Sequence, residues 1–149
     1  MKSLLAAMIV CSGFAFFSEA KAGTLKDEYE LQERCGIRTE AWFKKEYGKD
    51  GITQREGGFD VATYTNHYNL KMNKCLVLYK SVSHTYKKNE KSLDLNSEMT
   101  TLILFDINEQ KEYGGYFAVG AYSNDCNVDN KKCHTEDEFN ALAKPYMEK

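Results

Sequence analysis

Four cysteines constrain this chain more than any other feature of its sequence. The 149 residues hold five, Cys11, Cys35, Cys75, Cys126 and Cys133, and the first falls in a segment that reads as a cleavable leader. Lys2 supplies a positive charge, Leu4 to Phe17 form an apolar run, and Ala20-Lys21-Ala22 gives a small-x-small pattern before Gly23. This layout assigns residues 1–22 to a signal peptide and 23–149 to the mature chain. The run is shorter than the roughly 18 to 20 apolar residues that cross a bilayer, and Ser12 and Gly13 interrupt it. A signal peptide is therefore the better reading than an anchor, and no stable membrane span is expected after cleavage. Val10, before Cys11, does not suit a lipid-attachment signal, which has Gly or Ala there.

An even number of cysteines in a short exported chain implies disulfides, because compartments outside the cytoplasm keep thiols oxidised. Four cysteines allow three pairings. Cys126 and Cys133 bracket a short polar stretch, "CNVDNKKC", which favours their pairing and leaves Cys35 to join Cys75. On a chain-entropy model the longer closure contributes roughly 4 kcal/mol and the shorter roughly 2 to 3. Zinc is the rival use of these thiols, with His67 near Cys75 and His134 beside Cys133. Structural zinc sites present tight C-x-x-C pairs, and these cysteines are spread too widely for that pattern. No metal and no cofactor is expected.

Removing the leader leaves 127 residues, suited to one core and one domain. Lys2, Lys21 and Glu19 leave with it, so the mature chain carries 18 basic against 21 acidic residues. A slightly acidic chain without a basic cluster lacks the positive footprint that nucleic acid requires.

From Leu25 to Tyr47 the apolar residues Leu25, Tyr29, Leu31, Cys35, Trp42, Phe43 and Tyr47 follow a helical period, and Gly48 stops the run. The glycine-rich stretch Gly48 to Asp60 matches no phosphate-binding loop and reads as a connector or, alternatively, a mobile binding loop. Strand patterns, rich in β-branched and aromatic residues, run from Val61 to Tyr68, Lys74 to Tyr86, Glu98 to Ile107 and Lys111 to Val119. "YKKNEKSLDLNS" reads as a solvated loop, and Asn108-Glu109 as a hairpin turn. Thr135 and Glu138 fit a capping box, followed by a stripe of Phe139, Leu142, Ala143 and Tyr146, with Pro145 near its end. These elements predict an α+β domain: an N-terminal helix, a four-stranded antiparallel meander and a C-terminal helix, stapled by two disulfides.

Chemistry is sparse. His67 reads as a strand-end histidine that serves the neighbouring turn, and a catalytic base would need a nucleophile and an orienting carboxylate. No Ser, Thr or Cys sits in a nucleophile motif, and His84 and His134 lack such a context as well. Glu136, Asp137 and Glu138 suit the positive end of a helix. Asp125 and Asp129 in "DCNVDN" lack the glycine and final glutamate of a calcium loop. Ten tyrosines are the compositional oddity. Tyrosine combines a large rigid contact area with a polar tip, which suits interfaces and sugar stacking. Tyr64, His67, Tyr68, Tyr79 and Tyr116 are taken as a candidate binding surface on an open sheet face.

Together "CGIRTEAWFKKEYG", "NHYNLKMNKCLVL", "FDINEQKEYGGYF" and "CNVDNKKCHTEDEFNALAKPYMEK" resemble small exported Gram-negative bacterial proteins of unassigned function. The resemblance implies a bacterial origin and a periplasmic or secreted location, and it transfers no site residue. Small size, export, disulfide stapling and tyrosine content then favour a non-enzymatic protein that binds another protein, as an inhibitor, immunity-type or envelope-accessory component. A small-molecule or glycan-binding periplasmic domain is the alternative, which an open concave pocket would favour. An unfamiliar enzyme ranks third.

Overall fold

The computed structural model describes residues 24–86 and 98–148. The signal-peptide assignment and most of the loop between the second and third expected strands lie outside these residues. The chain runs α1 (Leu25–Tyr47), β1 (Ile52–Arg55), β2 (Gly58–Asn69), β3 (Lys74–Thr85), β4 (Glu98–Asp106), β5 (Lys111–Val119), β6 (Tyr122–Val128), β7 (Lys131–Lys132) and α2 (Glu136–Met147). The strands form one antiparallel sheet in sequence order.

The expected four-stranded meander is thus corrected to a seven-stranded one. Three strands escaped the pattern because little of them is buried. All four residues of β1 are exposed, so no apolar alternation marks it within the glycine-rich "connector". Gly57 takes φ +78° in the turn after β1, and a side chain at Gly58 would strike His84 O at 2.0 Å. The two glycines therefore shape a hairpin rather than a linker. The supposed polar loop "CNVDNKKC" is likewise a hairpin. Asp129 and Asn130 both take positive φ, 46° and 65°, as a two-residue turn with both central residues left-handed requires. In β6 only Cys126 and Val128 are buried.

β3 is buried on both faces over Cys75–Val77, which is why "CLVLY" reads as one continuous apolar run. Its alternate residues serve two cores. Tyr79 packs with Ala62 and Phe43 beneath α1, with Trp42, Tyr47, Tyr64, Ile103 and Phe105 around them. Leu76, with Leu102, Leu104 and Val128 of neighbouring strands, packs on Phe139 and Ala143 of α2. The helices therefore cover opposite faces of the sheet. Burying a side chain the size of Phe139 or Leu104 stabilises each core by about 1.5 to 3 kcal/mol.

Both disulfides join the pairs favoured above: Cys35–Cys75 ties α1 to β3, and Cys126–Cys133 closes the β6–β7 hairpin onto the start of α2. Gly48 ends α1 with φ +74°, its N–H donating to Lys44 O at 3.1 Å. The capping box expected at α2 forms by half. Thr135 Oγ1 accepts from Glu138 N, but the Glu138 carboxylate accepts from the N–H of His134, one residue before the cap. The complete box is at α1, where Thr24 and Asp27 exchange backbone-to-side-chain hydrogen bonds.

Candidate functional site

The first two turns of α1 run past the end of the core. The helical stripe predicted that Leu25 and Tyr29 would be buried; they are 70% and 72% exposed. Opposite them the β2–β3 turn projects Leu70, itself 44% exposed. Between the two lies a cleft of 460 Å³ lined by Leu25, Tyr29, Tyr68 and Leu70 and, among polar residues, Glu28, Gln32, His67, Asn69 and Lys71. Its size falls in the ordinary range for ligand sites.

Each wall is fixed from behind. Tyr68 N–H donates to Gln32 Oε1 at 2.7 Å, and one turn further along α1 the Cys35–Cys75 disulfide holds helix to sheet. On the other wall Asn69, 4% exposed, works in two directions. Its Oδ1 accepts from Met72 N at 3.1 Å and shapes the turn, while its Nδ2 donates to Pro145 O at 3.3 Å and Tyr146 O at 3.1 Å. Those carbonyls belong to the last turn of α2, where helix carbonyls lack partners of their own. Asn73, at φ 55°, completes the turn, and its side chain accepts from Tyr68 Oη.

The candidate surface does not assemble as one patch. Tyr64 and Tyr79 lie under α1, with Tyr64 4.6 Å from Phe43 and Tyr79 4.9 Å from Tyr47 between ring centroids. Tyr116 is on the other face, 6.3 Å from Phe139. Only His67 and Tyr68 reach the cleft. His84 stacks on Phe59 with 4.7 Å between centroids, and its Nδ1 stands 3.6 Å from Glu98 Oε1. The acidic start of α2 meets Lys80, whose Nζ is 2.5 Å from Glu136 Oε1. Asp129 accepts from Tyr146 Oη. Burial, assisted by that carboxylate, pushes the Tyr146 phenol up to about 12. Desolvation together with Tyr79 holds the Tyr47 phenol above its ordinary range as well.

One charged cluster went unread in the sequence. Asp106 is fully buried beside the β4–β5 turn, where Oδ1 accepts from Asn108 N at 2.9 Å and Oδ2 lies 3.3 Å from Lys74 Nζ. Lys74 also pairs with Glu109, which with Asp106 raises the ammonium pKa. Among the described residues, no group of three or more His, Cys, Asp or Glu side chains is placed to hold a metal ion, and no helix is long and apolar enough to cross a membrane. Two disulfides suggest an oxidising environment outside the cytoplasm. No family model, curated protein or solved structure matches the chain.

Proposed function

We propose that the chain is an exported, non-enzymatic bacterial protein that binds another protein in the periplasm or outside the cell. The observation that carries this reading is the cleft between α1 and the β2–β3 turn, rimmed by the exposed apolar side chains Leu25, Tyr29 and Leu70. Contiguous exposed apolar surface costs solubility and marks interaction sites. Tyrosine is the side chain that interfaces favour as an anchor. No Ser, Thr or Cys lines the cleft to serve as a nucleophile. An inhibitor, immunity-type or envelope-accessory role fits this surface.

The concavity of the cleft gives the second reading, a small-molecule or glycan-binding domain, its specific support. The two readings separate in one experiment. Oxidised protein and its Tyr29→Asp variant are used as baits for envelope extracts, and the captured material is identified by mass spectrometry. A stoichiometric protein captured by the wild type and lost by the variant supports the first reading. No captured protein from a folded, disulfide-bonded bait shifts the weight to the second.

A further inference from the structure

The sheet has two edges, and the chain treats them differently. At one, β7 is only two residues long and consists of Lys131 and Lys132; short charged strands discourage further pairing. At the other, β1 covers only Gly58–Val61 of β2, and Ala62 N–H closes the pairing on Gly51 O at 2.7 Å. Beyond that point β2 runs on to Asn69 with no strand on its outer side among the described residues.

Residues of an antiparallel strand turn their N–H and C=O alternately to one side and the other. Ala62 and Tyr68 both turn N–H outward, to Gly51 and to Gln32, so Tyr64 and Asn66 between them face outward too. No described residue hydrogen-bonds their main chain on this side. Thr63 to Asn66 hold no charge and no proline, and their register with β3 runs without a bulge. Charge, proline and bulge, three of the usual protections of an edge strand, are therefore missing here.

Above this edge α1 carries Gly36. A side chain there would meet only Asn66 Nδ2 at 3.8 Å, an ordinary contact. Glycine is a poor residue for a helix interior, and nothing within the described chain requires it at this position. Its absent side chain leaves room for a strand passing beside β2.

We propose that the outer edge of β2 from Thr63 to Tyr68 is the docking site for an extended segment of a partner protein, recognised through its main chain and one apolar side chain. The segment adds antiparallel to β2, bonds the main chain of Tyr64 and Asn66, passes Gly36, and sets an apolar side chain in the cleft beside Tyr29. Main-chain pairing supplies affinity and the alternate side chains supply specificity. A second copy of the chain fits this edge less well, since it would bring its own α1, about 10 to 12 Å across, within a strand spacing or two of the first. The site rests on the protein-binding function proposed above and gives its partner a chemistry.

The test uses the blocked peptide acetyl-Leu-Lys-Ala-Thr-Val-Lys-amide, titrated into isotope-labelled, oxidised protein and followed by amide NMR and hydrogen exchange. The amides of Tyr64, Asn66 and Tyr68 shift, and exchange at Tyr64 and Asn66 slows about tenfold or more. Methylating the peptide's Ala and Val nitrogens weakens binding about tenfold or more, because both main-chain pairs are lost. Gly36→Leu, whose side chain fills the space beside Asn66, weakens it likewise while the Tm stays at or above the wild-type value, because leucine is the better helix former. No shift at these amides, or equal binding by the methylated peptide, overturns the proposal. Dimeric free protein with Tyr64 and Asn66 already protected overturns it in favour of a second copy. A captured partner that binds Gly36→Leu as tightly as wild type overturns strand addition alone; failure to capture any protein overturns the protein-binding function beneath it.

Discussion

The backbone N–H of Tyr68 donates to Oε1 of Gln32 at 2.7 Å, so a helix side chain stands where a neighbouring strand's carbonyl would otherwise be. The contact ends the free edge of β2 and fixes the back of the cleft. Gln32→Leu keeps the bulk and removes the acceptor. It lowers stability by about 1 kcal/mol and speeds hydrogen exchange at Tyr68, both read from one native-state exchange series.

On the proposed function Tyr29 contributes to binding, and because 72% of it is exposed it contributes little to folding. Tyr29→Asp shifts stability by no more than about 0.5 kcal/mol. It weakens capture of the partner by about 2 kcal/mol or more, the scale of a central interface anchor. Thermal denaturation and a binding titration of the same preparation separate the two effects.

The two disulfides stabilise unequally. Replacing Cys35 and Cys75 by alanine opens a closure of sequence separation 40 and costs about 4 kcal/mol, whereas replacing Cys126 and Cys133, at separation 7, costs about 2 to 3. Denaturant titration of both double variants gives the ranking. A larger loss from the second pair would place the main cross-link in the hairpin.

Lys74 and Asp106 form a pair whose halves differ in worth. Lys74→Met strands a fully buried carboxylate and lowers the Tm. Adding Asp106→Asn to that variant restores part of the loss, since a neutral amide costs less to bury. Differential scanning calorimetry of the single and double variants tests this order.

At high pH the Tyr146 phenol works against the fold. Its folded pKa of about 12 lies above the ordinary value of 10.0. The unfolded chain therefore loses this proton first, and the stabilisation, fully present below pH 10, declines between about 10 and 12. Tyr146→Phe removes this part of the alkaline decline. Denaturation of wild type and variant across that window shows it as a difference in slope.

The helical period and the stop at Gly48 made α1 legible to the residue, and β5 was read with the same bounds. The alternation in β6 was not, because its outward residues are polar and only Cys126 and Val128 turn inward. Alternation also cannot say which helix covers which face. Tyr64 and Tyr79 pair directly across β2 and β3, yet Tyr116 packs against the opposite core, so the candidate surface mixed residues from the two faces of the sheet. Leu25 and Tyr29 continued the apolar stripe of α1 and read as core. Their exposure follows from where the sheet ends beneath the helix, which no local pattern encodes. Leu70 was legible only as part of a turn.

The most direct measurement is hydrogen–deuterium exchange of the oxidised protein, alone and saturated with its captured partner. The binding account predicts new protection in residues 25–32 and 63–71, around the cleft and along the free edge of β2. Protection confined to other segments, with these two unchanged, would contradict it.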